Sequence, residues 1–169
     1  MQEDLIVTFV GNDRPGIVQE MSAEVSALGG NWLESQMSRM AGKFAGVARI
    51  SIDVEQVEAL SEGLTAISGL SILLERAEPS PDDVMALAFT LSIIGPDRPG
   101  IMSEVTTALV SNQVNLAEVA TRVGPAPMTG DQTFFAEVNI LVPEGVPMVS
   151  LENALQRIAD DLAVDIRFE

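Results

Sequence analysis

Two ten-residue stretches, GNDRPGIVQE at 11–20 and GPDRPGIMSE at 95–104, place the same groups in the same order. The first comprises Gly11, Asn12, Asp13, Arg14, Pro15, Gly16 and Ile17; the second has Gly95, Asp97, Arg98, Pro99, Gly100 and Ile101 at matching positions. Such a stretch predicts a turn that opens a helix, because Asp suits an N-cap and Pro a first-turn position. First-turn amides have no partner inside the helix, and the positive end of the helix dipole lies at the same place. That combination accepts a carboxylate or another small anion. Asp13 or Asp97 would accept hydrogen bonds from an ammonium group, and Gly11 and Gly16 would leave room for a ligand against the backbone. Asn31 and Asn115, each opening a later strand, carry a donor and acceptors. Amides for a carboxylate, with Asp and Asn for an ammonium, describe a receptor for a free α-amino acid. A plainer reading uses the same residues: Asp13 caps its helix, Arg14 is a solvated charge, and Pro15-Gly16 shapes the turn. Both readings stand at this point.

Other chemistries are poorly supplied. The chain has no histidine, which removes the usual general base near neutral pH and the Ser-His-Asp and Cys-His arrangements. It has no cysteine either, so thiol nucleophiles, thiolate metal sites and disulfides are excluded. No catalytic residue, metal ligand or cofactor site is expected. Twenty-five acidic residues face nine basic ones, a formal charge of −16, and Lys43 is the sole lysine. Nucleic-acid binding depends on neutralising phosphates with Lys and Arg, so a surface this acidic disfavours direct contact with DNA, RNA or anionic lipid. The N-terminal MQEDLIV lacks the basic and apolar regions of a secretory signal, and no apolar run is long enough for a membrane helix. A cytoplasmic location is expected.

The elements that would position the turns repeat as well. Residues 7–39 laid over 91–123 coincide at the turn residues and at Glu20/Glu104, Asn31/Asn115 and Glu34/Glu118. Downstream, Arg39-Met40 aligns with Arg122-Val123, and Ile50-Ser51-Ile52 with Val138-Asn139-Ile140, after a longer hairpin in the second copy. In copy one, LIVTFV (5–10) reads as a buried strand, and Ile17, Met21, Val25 and Leu28 recur at helical spacing until Gly29-Gly30. NWLESQMSRM (31–40) and VARISIDV (47–54) read as strands around the turn AGKFAG. Val57, Leu60, Leu64 and Ile67 mark a second helix, and SILLER (71–76) a last strand.

Copy two gives strands at 85–94, 115–123, 133–142 and 164–169 and helices carrying Ile101, Val105, Leu109 and Leu151, Leu155, Ile158, Leu162. The expected organisation is α+β: a unit at 1–77, a linker at 78–84 and a unit at 85–169. Each unit has β-α-β-β-α-β order, the ferredoxin-like split βαβ, with two helices on one face of a four-stranded antiparallel sheet. Units this small have thin cores and open sheet edges. Pairing them into one continuous or stacked eight-stranded assembly, or pairing two chains as a homodimer, would relieve both.

A G-x-D-R-P-G-I turn after the first strand, an amphipathic helix, and then G-G-N or V-N before the second strand resemble the ACT domain. That regulatory module is attached to many enzymes of amino-acid metabolism. The resemblance covers both halves, and the tandem arrangement is similar to the glycine cleavage system transcriptional repressor family. It implies control of glycine and one-carbon metabolism gene expression through a protein partner, a DNA-binding activator, rather than by gripping DNA. It further implies a small amino acid, glycine or serine, as effector. In the serine-binding regulatory domain of phosphoglycerate dehydrogenase the effector lies where two domains meet. It touches a polar residue before Arg-Pro-Gly and an asparagine opening the second strand, positions that carry over onto Asp13 and Asn31 and onto Asp97 and Asn115. This chain departs from that pattern in having Asp at the loop position and Gly11 and Gly95 where that domain has histidine. The copies differ too: Asn12, Gly29-Gly30 and Trp32 in the first stand against Pro96, Gln113-Val114 and Leu116 in the second. These differences point to the first copy as the working site if only one works. The competing expectation is a non-ligand-binding adaptor with vestigial sites.

Overall fold

The computed structural model describes residues 1–78, 86–127 and 129–169. The chain divides into two compact units, Met1–Pro79 and Ser80–Glu169. Apart from Glu78, the linker expected at 78–84 lies outside the described residues, as does Met85.

In the first unit β1 spans Gln2–Asn12, α1 Ile17–Ala27, β2 Asn31–Met40, β3 Lys43–Asp53, α2 Val57–Thr65 and β4 Leu70–Arg76. A short 3₁₀ turn, Val54–Gln56, leads into α2, with the Asp53 side chain accepting from the Glu55 amide at its start. In the second unit β5 spans Ala86–Pro96, α3 Ile101–Ser111, β6 Asn115–Pro125, β7 Gln132–Pro143, α4 Met148–Leu162 and β8 Asp165–Phe168. Strand orders are β2-β3-β1-β4 and β6-β7-β5-β8, and neighbouring strands pair antiparallel throughout the described residues. Each unit is therefore the expected α+β, ferredoxin-like βαββαβ fold. Among the described residues the strands form two four-stranded sheets, one in each unit.

Alternation decides which face of each sheet is buried. Leu5, Val7 and Phe9 of β1 join Ile50 and Ile52 of β3 beneath Ile17, Met21 and Val25 of α1 and Leu60 and Leu64 of α2. The second core repeats this with Leu91, Ile93, Val138 and Ile140 beneath α3 and α4. Trp32 is half-buried against the first core. Apart from β8, which at Asp165–Phe168 is shorter than the 164–169 expected, strands run longer than their apolar runs suggested, because β-pairing continues past the last buried side chain. In AGKFAG only Ala41 and Gly42 turn the chain, both with positive φ (48° and 77°), so β3 starts at Lys43. That two-residue geometry matches the twist of the strands it joins.

Strand register corrects the alignment of the two copies. Leu5 faces Ile50 and Phe89 faces Ile140, so Ile50 corresponds to Ile140 rather than to Val138. Arg39 pairs with Phe44, which pairs with Gly11; Val123 pairs with Phe134, which pairs with Gly95. Arg39 thus corresponds to Val123, not Arg122. The two-residue slip at Ile50 arose because alternation of period two looks the same after a shift of two; Arg39 precedes the hairpin insertion, and its register agrees with the overlay of 7–39 on 91–123.

Two repeated glycines have a packing reason. A Cβ on Gly11 would lie 2.4 Å from the Gly69 carbonyl oxygen and 2.4 Å from Leu70 Cδ2. On Gly95 it would lie 2.5 Å from Val164 Cγ1 and 2.9 Å from its Cα. The space expected for a ligand is filled by the chain entering the last strand of each unit. Gly11→Ala or Gly95→Ala is expected to destabilise its unit by about 1–3 kcal/mol through overpacking. Gly124→Ala, whose nearest neighbour is an Arg122 side-chain nitrogen at 3.5 Å, should stay within about 0.5 kcal/mol. Urea unfolding of the three variants would check this.

Candidate functional site

The turns place their backbone first. Gly16 and Gly100 are the N-caps of α1 and α3, in the left-handed region at φ 91° and 100°, and neither helix has a side-chain cap. Asp13 is therefore not the N-cap that its position suggested. It lies three residues before the cap, and Pro15 stands before the helix rather than in its first turn. Glycine is favoured at both caps because other residues reach this φ only with strain. Without a side-chain oxygen, first-turn amides are left to solvent or to a ligand.

The remaining side chains of the turn hold it to its own unit. Arg14 makes a paired contact with Glu20, at 2.6 and 2.7 Å, and donates to the Ser68 carbonyl just beyond α2 at 3.3 Å. Arg98 reaches the equivalent region, donating to the Asp161 carbonyl in the last turn of α4 at 3.3 Å. C-terminal carbonyls lack helical partners and carry the negative end of the dipole, so an arginine there satisfies both. Arg14 is thus a tether rather than a solvated charge.

The copies diverge at the acid. Arg39 Nε lies 2.9 Å from Asp13 Oδ2, and Asn12 Oδ1 accepts from Lys43 Nζ at 2.6 Å. Val123 stands where Arg39 does, so among the described residues the carboxylate of Asp97 has no ion pair. In the same turn the buried Arg98 Nε has no hydrogen-bond partner among the described residues. Arg39 as a partner of Asp13 escaped sequence reading, because the two meet only through the β1-β3-β2 order.

Asparagine is placed differently from the sequence expectation. Asn31 faces Ser51, which faces Asp4, at the opposite end of the sheet from Gly11. Seven strand positions separate Asp4 from Gly11, roughly 23 Å along the sheet. Asn115, opposite Leu141 and hence level with Ala88, is equally remote from Gly95. One unit does not bring its turn and its asparagine together. Asn115 is instead engaged locally, its Oδ1 accepting from the Leu116 amide at 2.9 Å. Shallow clefts of about 290 and 260 Å³ lie on the open sheet faces, lined by Arg122, Phe135 and Glu137 and by Glu34, Val47 and Arg49, not by the turns.

ACT-domain family models match residues 3–69 and 89–146, so the chain belongs to the ACT-domain family and carries two copies of its module. The chain is related to the glycine cleavage system transcriptional repressor of Escherichia coli, with 23% identity over 165 residues, 95% of this chain and 86% of that protein. Among solved structures, an unknown protein from Galdieria sulphuraria has a TM-score of 0.88 at 28% identity, covering 100% of this chain and 98% of its own. A protein provisionally assigned as a glycine cleavage system transcriptional repressor has a TM-score of 0.70 at 20% identity, covering 100% and 97%, a likeness of fold.

The Arg14 hydrogen bond, more than its charge, lowers the pKa of Glu20. A depressed carboxylate contributes stability that is complete above the ordinary glutamate range and is lost as pH falls through the depressed value. Glu20→Gln should therefore flatten the acid limb of the melting temperature against pH, measured by thermal unfolding of both proteins from neutral to acidic pH.

Proposed function

We propose that this is an amino-acid-responsive ACT regulator of glycine and one-carbon gene expression that works through a protein partner. The observation that carries the reading is the pair of helix starts with no side-chain cap, in both copies, whose amides suit a ligand carboxylate. Asp97 and Arg98 make the second turn the better candidate. Its acid is not held by an arginine, and the Nε of the neighbouring Arg98 has no hydrogen-bond partner among the described residues. Because each asparagine lies at the far end of its sheet, a receptor that uses both groups draws them from more than one ACT unit. The effector is a small amino acid such as glycine or serine, and it shifts the protein by favouring one packing over another. The family likeness and the −16 charge support a basic or DNA-binding protein as the partner, with no direct nucleic-acid or membrane contact. A cytoplasmic, non-catalytic role accords with that reading. Among the described residues no helix is long and apolar enough to cross a membrane.

The adaptor reading has its own support in the first turn, where Asp13, Arg14 and Gly11 are all engaged internally. Titration calorimetry with a panel of amino acids separates the two. Binding that Asp97→Ala weakens by about tenfold or more, while Asp13→Ala leaves it within about threefold, supports the regulator. Silence across the panel, with the partner still co-purifying from extract, supports the adaptor.

A further inference from the structure

We propose that the open face of the second sheet carries a site for a small zwitterion, an ammonium and a carboxylate on one short skeleton, between Glu137 of β7 and Arg122 of β6. Ala136 and Val138 are buried in the core, so Phe135 and Glu137 stand on the opposite, open face. Register sets Ala120 and Ser92 on either side of Glu137, and Arg122 and Ile94 on either side of Phe135. The small neighbours leave a hollow around the Glu137 carboxylate, and these six residues are among those lining a cleft of about 290 Å³. Pockets for small molecules combine apolar walls with a few placed polar groups in this way, and so small a cleft suits a small ligand.

Glu137 and Arg122 are diagonal neighbours of opposite charge, yet they do not pair. The guanidinium lies instead over the Phe135 ring, 3.8 Å from its centroid, drawn by the negative face of the ring. Among the described residues neither charge enters an ion pair. The ring therefore holds the two charges apart and leaves both open at the cleft. A guanidinium meets a carboxylate through two parallel N–H donors, and a carboxylate accepts from an ammonium. One molecule carrying both groups satisfies the pair at once, whereas an ion of either sign satisfies half of it.

The first sheet shows the same face without such a site. Register matches Glu137, Arg122 and Phe135 to Val47, Ser38 and Ala45, so both charges and the ring are present only in the second copy. Charges on the first face are already matched to one another, Arg49 lying 3.0 Å from Glu34 and 3.5 Å from Asp4. Asn139 stands in the place of Arg49. Its Oδ1 accepts from Thr90 at 2.8 Å and its amide donates to Glu118 at 3.1 Å, so it is engaged away from Glu137. The cleft shares no residue with the turn at Asp97, and its occupancy is independent of the effector reading.

The test is an amide NMR titration of the full chain with glycine, β-alanine and γ-aminobutyrate, and with acetate and ethylamine as carriers of one charge each. The expected result is a saturable shift of the Ser92, Ala120 and Glu137 amides with at least one zwitterion, and binding about tenfold or more weaker for acetate and ethylamine. Glu137→Gln and Arg122→Gln should each weaken the zwitterion by about tenfold or more, the amide spectrum confirming each variant's fold. Asp97→Ala should leave binding at this cleft within about threefold. Absence of saturable shifts at these amides with every zwitterion overturns the proposal. So does acetate or ethylamine binding as tightly as the zwitterions, or binding indifferent to both glutamine variants. A response lost on Asp97→Ala but kept in both glutamine variants would assign the binding to the turn and overturn it equally.

Discussion

The strand-to-helix turn of each unit is closed against the chain that leads into that unit's last strand, and much of the rest follows from that contact. Gly11 packs against the Gly69 carbonyl, and Gly95 against Val164. Arg14 and Arg98 donate to carbonyls beyond α2 and in the last turn of α4. The first strand thereby becomes central in its sheet, flanked by β3 or β7 on one side and by β4 or β8 on the other. A side chain at either glycine would push the last strand away, and losing either arginine would leave helix-end carbonyls without a donor.

That closure explains why so much of the repeated phrase is structural while its backbone remains suited to a ligand. Glycine at the helix cap supplies the left-handed turn but no oxygen, so the first amides stay uncommitted. In the first copy Asp13 is drawn to Arg39 and Asn12 to Lys43. In the second copy valine replaces that arginine, and the matching acid is spared. Duplication therefore produced two turns of the same shape and different electrostatics.

The same divergence shows on the edge strands. The charges of β2 are paired with charges of their own unit, Glu34 with Arg49 and Arg39 with Asp13, whereas on β6 Glu118 accepts from Asn139 and Arg122 lies over the Phe135 ring.

What the sequence determined by itself was local in origin. Apolar residues at a period of two along 5–9 and at helical spacing along 17–25 name the buried face of each element. The two copies of the turn mark where each first helix begins, and the α+β order follows. Only tertiary structure decided which ends of those elements meet. Asn31 looked like a neighbour of the turn because it follows α1 in the chain, yet β2 lies beyond β3 and begins at the far end of the sheet. Asp13 looked like a cap because caps are read from residue type, yet its partner arrives from a strand two places across. Val138 looked like the twin of Ile50 until hydrogen-bond register set Ile140 in that place. Pairing and register are made by contacts between distant segments, and local periodicity is the same for every register that keeps the apolar face buried.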